Sequence, residues 1–295
     1  MLNYVIYVRY PGQYMSAAYT ELSAEELAEL QQAYERLEHP SLAARLCNVI
    51  GTPVEQGLRL LPKGWYQRLH QATEASIRSA LDVALASVGR IAPNRAHDSL
   101  HKLLVMGTGA LGGFLGPLTL LAELPVTTTL MLRSIADIAH SEGEDLTALE
   151  GRLACMEVFA LGGRTREDKA ADAGYYSLRL TLGLHFSNAL LHTQVSAGNT
   201  ANIPGGVDLI RAIASRFGVV VSDEVAAKMI PIAGAVSGAL INLVFLDHFQ
   251  DTARGHFVVR RLERKYGTDV IRDRYEQLAR QEAEGDKEFS PLEGW

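Results

Sequence analysis

Two long stretches of this chain carry no charge and are rich in glycine. Residues 103–122 read LLVMGTGALGGFLGPLTLLA and residues 229–246 read MIPIAGAVSGALINLVFL. An apolar helix of about twenty residues spans a hydrocarbon core about 30 Å thick, so length alone allows either a membrane span or a fully buried core helix. Glycines recur at four-residue steps, Gly109 with Gly113, Gly112 with Gly116 and Gly234 with Gly238. That spacing puts bare backbone on one helix face and lets a second helix come close. Three arrangements follow: central helices of a soluble bundle, transmembrane spans, or a hairpin that enters a bilayer reversibly.

Composition favours the first. Mean hydropathy is +0.03, with 47% apolar and 21% charged residues, as in a globular chain and unlike a polytopic membrane protein. Lys102 and Lys228 precede the two stretches while Glu123 and Asp247 follow them, so no dense Lys/Arg cluster marks one side. The balance of 28 Lys+Arg against 34 Asp+Glu, a net charge of −6, argues against a nucleic-acid partner. We expect the two stretches to pack on each other at the centre of a helical assembly. Five glycines and Pro117 weaken the first as a helix and predict two short pieces, with a new helix starting at Pro125 and Glu123 near its positive end.

Elsewhere helical periodicity dominates. Ser23 and Glu26 form a capping box ahead of Leu27, Leu30, Tyr34 and Leu37, and His39-Pro40 ends that run. Residues 65–88 carry Leu69, Ala72, Ile77, Leu81, Ala84 and Val88 on one stripe. Asp145 reads as the cap of a helix with Leu149, Leu153, Met156 and Ala160, stopped by Gly162-Gly163. Residues 175–195, 203–217 and 269–283 read similarly, and no regular series of alternating strands is present. The expected fold is all-α, a multi-helix bundle with two central glycine-rich apolar helices or hairpins. We divide the chain into an N-terminal extension at 1–20, expected to be poorly ordered, a helical domain at 21–284 and a tail at 285–295. No basic, apolar leader opens the sequence, so no secretory signal is expected. Cys47 and Cys155 share no metal-ligand spacing and read as buried thiols.

Several polar groups could carry chemistry. On a continuous helix Asp247, Asp251 and Arg254 share a face, with His248 about 100° away and His256 beyond. A carboxylate pair beside an imidazole suits acid/base work or a divalent metal; the plainer reading is a buried Asp251–Arg254 ion pair. Glu123, with Arg133 and Asp137 one turn apart, forms a second set, and Glu123 and Asp247 could converge on one pocket. His185 and His192 read as partly buried histidines, and the pairs Asp137/His140 and Asp98/His101 as surface. Arg260, Arg261, Arg264 and Lys265 interleave with apolar residues, a pattern fit for a solvated face, an anionic headgroup or an acidic partner. GTGALGG lacks the ending of a phosphate-binding loop, and neither HExxH nor G-x-S-x-G occurs.

The segment PIAGAVSGALINLVFLDHFQDTARGHFVVRRLERKYG at 231–267 resembles the C-terminal signature of the EcsC family. LPKGWYQRLHQATEASIRSAL at 61–81, GALGGFLGPLTLLAELPVTTTLMLRSIADIA at 109–139 and CMEVFALGG at 155–163 resemble its other blocks in the same order, so the likeness runs over about residues 22–276. The resemblance implies an α-helical bacterial protein, cytosolic or membrane-associated, with a link to ABC-transporter regulation or protein processing suggested by the family's name and gene neighbourhood.

Together these readings describe a non-enzymatic helical interaction protein in the cytoplasm, peripherally associated with a membrane surface or a membrane transporter. No cofactor, metal or nucleic acid is expected. The rivals are a hydrolase built on Glu123, Asp137, Asp247, His248, Asp251 and His256, and a carrier of a small apolar ligand lined by close-packed helices.

Overall fold

The computed structural model describes residues 22–39, 42–50, 54–61, 63–86, 117–163, 174–193, 204–229 and 235–288. Among them are ten helices and no strand: α1 (Ala24–Glu38), α2 (Leu42–Ile50), α3 (Val54–Leu58), α4 (Trp65–Ala86), α5 (Pro117–Ser141), α6 (Leu149–Leu161), α7 (Tyr175–Thr193), α8 (Pro204–Met229), α9 (Ala235–Tyr266) and α10 (Thr268–Glu288). The all-α bundle follows from the helical spacing of the apolar residues. Ser23 accepts from the Glu26 amide and Glu26 accepts from the Ser23 amide, so the capping box starts α1 as its sequence dictates. In α4, Leu69, Thr73, Ser76, Ile77, Ala80, Leu81 and Ala84 are buried. Thr73 and Ser76 donate to carbonyls one turn back, which lets a polar residue sit on a buried face without an outside partner.

Two helix boundaries differ from expectation. Pro125 lies inside a continuous α5 instead of opening a new helix, while Pro117 takes the first helical position, where a missing N–H is harmless. An interior proline costs about 3 kcal/mol. Packing of α5 along α4 and α9 offsets it, because Leu124, Met131, Leu132, Ile135 and Ala139 are buried and a buried Leu, Ile or Met contributes about 1.5–3 kcal/mol. Asp145 does not cap α6: the N-cap is Ala148, and Asp145 instead accepts from the amide and hydroxyl of Thr147 in a tight turn.

The core is organised around α9, 32 residues long, which packs against α1, α2, α5, α6, α8 and α10. Residues 255–260 are buried without a break. Helix α6 is buried on every face from Gly151 to Leu161, so it is a central element and not an amphipathic one. Of the stretch 229–246, Met229 ends α8 and residues from Ala235 belong to α9, while residues 230–234 lie outside the described residues. Helices α5 and α9 pack on each other, with Gln250 donating to the Ser134 hydroxyl at 2.7 Å between them, a contact that lies beyond both glycine-rich stretches. Gly109, Gly112, Gly113, Gly116 and Gly234 lie outside the described residues, as does the packing of Gly238 in the first turn of α9. Among the described residues, no helix is long and apolar enough to cross a membrane. Cys155 is buried, while Cys47 is only half-buried, and both are free thiols.

The glycines at the end of α6 serve close approach more than they serve a turn. Gly162 keeps right-handed helical geometry at φ −67°, ψ −21°, which any residue adopts. A Cβ on it would stand 2.6 Å from the Phe249 ring of α9, and one on Gly163 would stand 2.2 Å from the Arg216 carbonyl oxygen of α8. Backbone cannot yield as a flexible side chain does, so Gly163→Ala should lower stability by about 1–3 kcal/mol in urea unfolding. Gly218→Ala, whose Cβ would meet only the Thr73 methyl at 3.9 Å, should be neutral or gain up to about 1 kcal/mol from helix propensity.

Candidate functional site

The two histidines of α9 are both buried, and each is engaged by another helix. His248 Nε2 meets the Gly162 carbonyl oxygen at 2.9 Å, so the ring donates across the gap that the bare glycine leaves open. Burial pushes its pKa down to about 4, which keeps the ring neutral. His256 Nδ1 lies 2.9 Å from the Tyr175 hydroxyl of α7.

A chain of polar groups continues from His256 in both directions. Arg179 Nη1 donates to the Tyr175 oxygen at 3.1 Å and to both oxygens of Glu263 at 2.9 Å. A guanidinium only donates, so the Tyr175 oxygen is the acceptor in its bond with Arg179. His256 Nε2 faces Glu157 Oε2 of α6 at 3.5 Å, and neither atom has a hydrogen-bond partner. Burial drives His256 well down and Glu157 up to about 7. Tyr176 donates to Glu263 at 2.9 Å, and Glu38 of α1 accepts from the Tyr175 amide and the Tyr275 hydroxyl. The start of α7 is thereby tied to α1, α9 and α10 by polar contacts.

The acid and base candidates around it are also partnered. Asp251 and Arg254 pair at 3.1 Å, as their spacing requires, although both are partly exposed and Asp251 is shared with Arg45 of α2 at 2.7 Å. Asp247 is half-buried one turn before it. The basic run meets carboxylates of its own chain. Arg260 is bidentate on buried Glu144 at 3.0 and 2.7 Å and reaches Glu150 at 3.3 Å, and Arg264 also donates to Glu144. Arg261 pairs with Glu29 and Glu142, and Lys265 with Glu26. Burial pushes the Glu144 carboxyl up, but the hydrogen bonds and charges of Arg260 and Arg264 outweigh it and hold the group below its ordinary range.

Glu123 belongs to another place. It lies on α5 in a shallow cleft with Glu224 and Lys228 of α8, walled by Leu69, Leu124, Thr127, Val221 and Val225. Lys228 Nζ donates to Glu224 at 2.6 Å. Desolvation raises the Glu123 pKa, Lys228 lowers it and Glu224 raises it, so the charges bearing on Glu123 come from α8. A carboxyl whose pKa is raised, standing beside a lysine-held carboxylate, has the chemistry to exchange a proton with a substrate or water entering the cleft. Arg133 is exposed and Asp137 half-buried, both on α5. His185 is half-buried on α7, and Asp98, His101 and the side chain of His192 lie outside the described residues. Among the described residues, no group of three or more His, Cys, Asp or Glu is disposed to hold a metal ion.

Sequence reasoning missed Glu144, Glu157, Tyr175, Arg179, Glu224, Lys228 and Glu263 as partners of these groups. One signal was in view: Glu157 is the only charge in CMEVFALGG, and a carboxylate alone in an apolar helix must find a proton or a partner inside.

A model of the EcsC protein family matches residues 24–262. The chain belongs to the EcsC family. No curated protein and no solved structure matches it. Within this EcsC chain the matched region ends at Leu262, so Arg260 and Arg261 fall inside it while Glu263, Arg264 and Lys265 follow it.

Removing one member of the Glu144–Arg260 pair strands a buried charge. Glu144→Ala should cost about 3–5 kcal/mol, and the double variant Glu144→Leu/Arg260→Met should recover most of it, as read from chemical denaturation. With its folded pKa depressed, Glu144 contributes stability that is present above its ordinary value of 4.5 and is lost as pH falls through the lower folded value. Glu144→Gln should flatten that acid limb of a stability-versus-pH curve.

Proposed function

We propose that this EcsC-family chain is a non-enzymatic helical interaction protein that works at or near the bacterial membrane, docking on a membrane transporter or on the membrane surface. The observation that carries this reading is where the reactive groups go. His248, His256 and Asp251 are each taken up in contacts between helices, and the basic run is met by internal carboxylates. Large apolar side chains remain outside: Leu180 and Leu184, one turn apart on α7, are 66% and 62% exposed. Two adjacent leucines on a helix suit an apolar partner face more than an anionic headgroup. Attachment of that kind is apolar and resists salt, unlike attachment through a basic face.

Fractionation of the expressed chain tests this. The protein should sediment with membranes and remain there through a high-salt wash. Leu180→Glu/Leu184→Glu should release it, since burying each leucine is worth about 1.5–3 kcal/mol and losing both weakens association on the order of a hundred-fold or more. A chain that stays soluble, or a variant that sediments like the wild type, overturns the reading.

A hydrolase reading is favoured by one observation, the Glu123–Glu224–Lys228 cleft. Its test is Glu123→Gln: hydrolysis of a generic ester or phosphoester abolished by that variant, with unchanged melting, would move the reading to an enzyme.

A further inference from the structure

Two pairs of polar residues meet in the cleft between α5 and α8. Glu123 and Thr127 stand one turn apart on α5, and Glu224 and Lys228 one turn apart on α8, so each pair shares a helix face. Lys228 answers Glu224 at 2.6 Å. Thr127 is only 5% exposed, yet among the described residues its hydroxyl has no hydrogen-bond partner, whereas Thr128 and Thr129 beside it donate to carbonyls one turn back. The half-buried Glu123 carboxyl has no hydrogen bond there either. We propose that this cleft binds an organic ammonium group, received by Glu123, Thr127 and the lysine-held Glu224, with its carbon stem laid on the apolar walls.

The chemistry of the donor set selects the ligand. Leaving a nearly buried hydroxyl unbonded is unfavourable, and a bond to the carbonyl one turn back is the ordinary remedy, which Thr128 and Thr129 take and Thr127 does not. A threonine hydroxyl accepts as well as donates and an ionised carboxylate only accepts, so the group that satisfies both is a donor. Charge gives the same answer. Two carboxylates against one ammonium leave a net negative charge once Glu123 ionises, and Lys228 is already committed to Glu224. Desolvation is the main cause that holds the Glu123 carboxyl above its ordinary range, Lys228 opposes it and Glu224 adds to it. A bound cation answers that charge, whereas an entering carboxylate or phosphate meets two carboxylates. The Lys228 ammonium beside Glu224 repels a divalent metal, and among the described residues no group of three or more His, Cys, Asp or Glu is disposed to hold one. The walls then separate an organic cation from an inorganic one: Leu69 of α4, Leu124 of α5 and Val221 and Val225 of α8 give a carbon stem apolar surface to cover and give a hydrated ion nothing.

The space inside is about the size of a water molecule, which an ammonium group matches. Glu224 is 4% exposed while Glu123 is half-buried, so the cleft opens on the Glu123 side and the ligand enters head first. The hydrolase reading uses the same cleft, but binding is measured without turnover: a chain that binds the ammonium and hydrolyses nothing keeps this proposal and loses that reading. Docking through Leu180 and Leu184 involves another helix, α7, and neither depends on the other.

Calorimetric titration of the full chain with butylammonium chloride at about pH 8, where Glu123 is ionised and the amine protonated, tests the site. Butanol, potassium chloride and sodium propionate serve as controls. Butylammonium should bind at a single saturable site, and Glu123→Gln and Thr127→Val should each weaken it about ten-fold or more. Thr127→Val should not lower the melting temperature of the free protein, because the hydroxyl it removes has no bond to lose. Absence of saturable butylammonium binding, equal binding of potassium or butanol, a preference for propionate, or unchanged affinity in Glu123→Gln overturns the proposal. Should Glu123→Gln fail to fold, Thr127→Val decides: a ten-fold loss of affinity with unchanged melting supports the site, and unchanged affinity overturns it.

Discussion

Helix α9 is enclosed by six other helices, and most of what is distinctive in the structure follows from that enclosure. A helix with one wet face can leave its polar side chains there. Over its middle turns helix α9 keeps only a half-exposed stripe at Asp247, Asp251 and Arg254, and its buried polar side chains have to be satisfied internally or left neutral. His248 answers with a bond to the Gly162 carbonyl, Gln250 with one to Ser134, Thr252 with one to a carbonyl one turn back, and Arg260 with a bidentate pair on Glu144. The bonds to Gly162, Ser134 and Glu144 also fix which part of the chain lies beside α9 at those heights. Bare backbone at Gly162 and at Gly255, where a Cβ would stand 2.9 Å from Leu37 Cγ, lets α6 and α1 come near enough to supply partners.

Enclosure also redirects the electrostatics. A run of arginines and a lysine near the end of a helix would ordinarily be available to an anionic partner, but here the neighbours of α9 are acidic at the matching positions. Glu26 and Glu29 of α1 and Glu142 and Glu144 after α5 receive the run. Among the described residues the most exposed leucines, Leu180 and Leu184, lie on α7, which is tied to α9 by side-chain bonds at its start.

Local features were readable where their cause is local. The capping box at Ser23 and Glu26 needs only three residues of spacing, and the Asp251–Arg254 pair only one turn. Pro125 was misread because its local cost is real but is overcome by packing on α4 and α9, which a linear pattern does not contain. Gly162-Gly163 does end α6, as its sequence indicates, but the close approach of Phe249 and the Arg216 carbonyl that these glycines permit was not legible in it. Within the candidate site, the residue types on α9 were recognised but their partners were not. Glu157, Tyr175 and Arg179 come from α6 and α7, far along the chain, and no periodicity relates them to His256.

What this sequence determined by itself was the helical class, the start of α1, the stripes that face the core and membership of a family carried by blocks over most of the chain. Propensity, periodicity and capping act over a few residues, so one strand of text contains them. Only the tertiary structure decided that α6 and α9 are central, that the basic run is answered from within, and that Glu157 faces His256. Those outcomes depend on which helices become neighbours, and burial then changes the chemistry of the same side chain from a charged, solvated group to a neutral one held by a single partner.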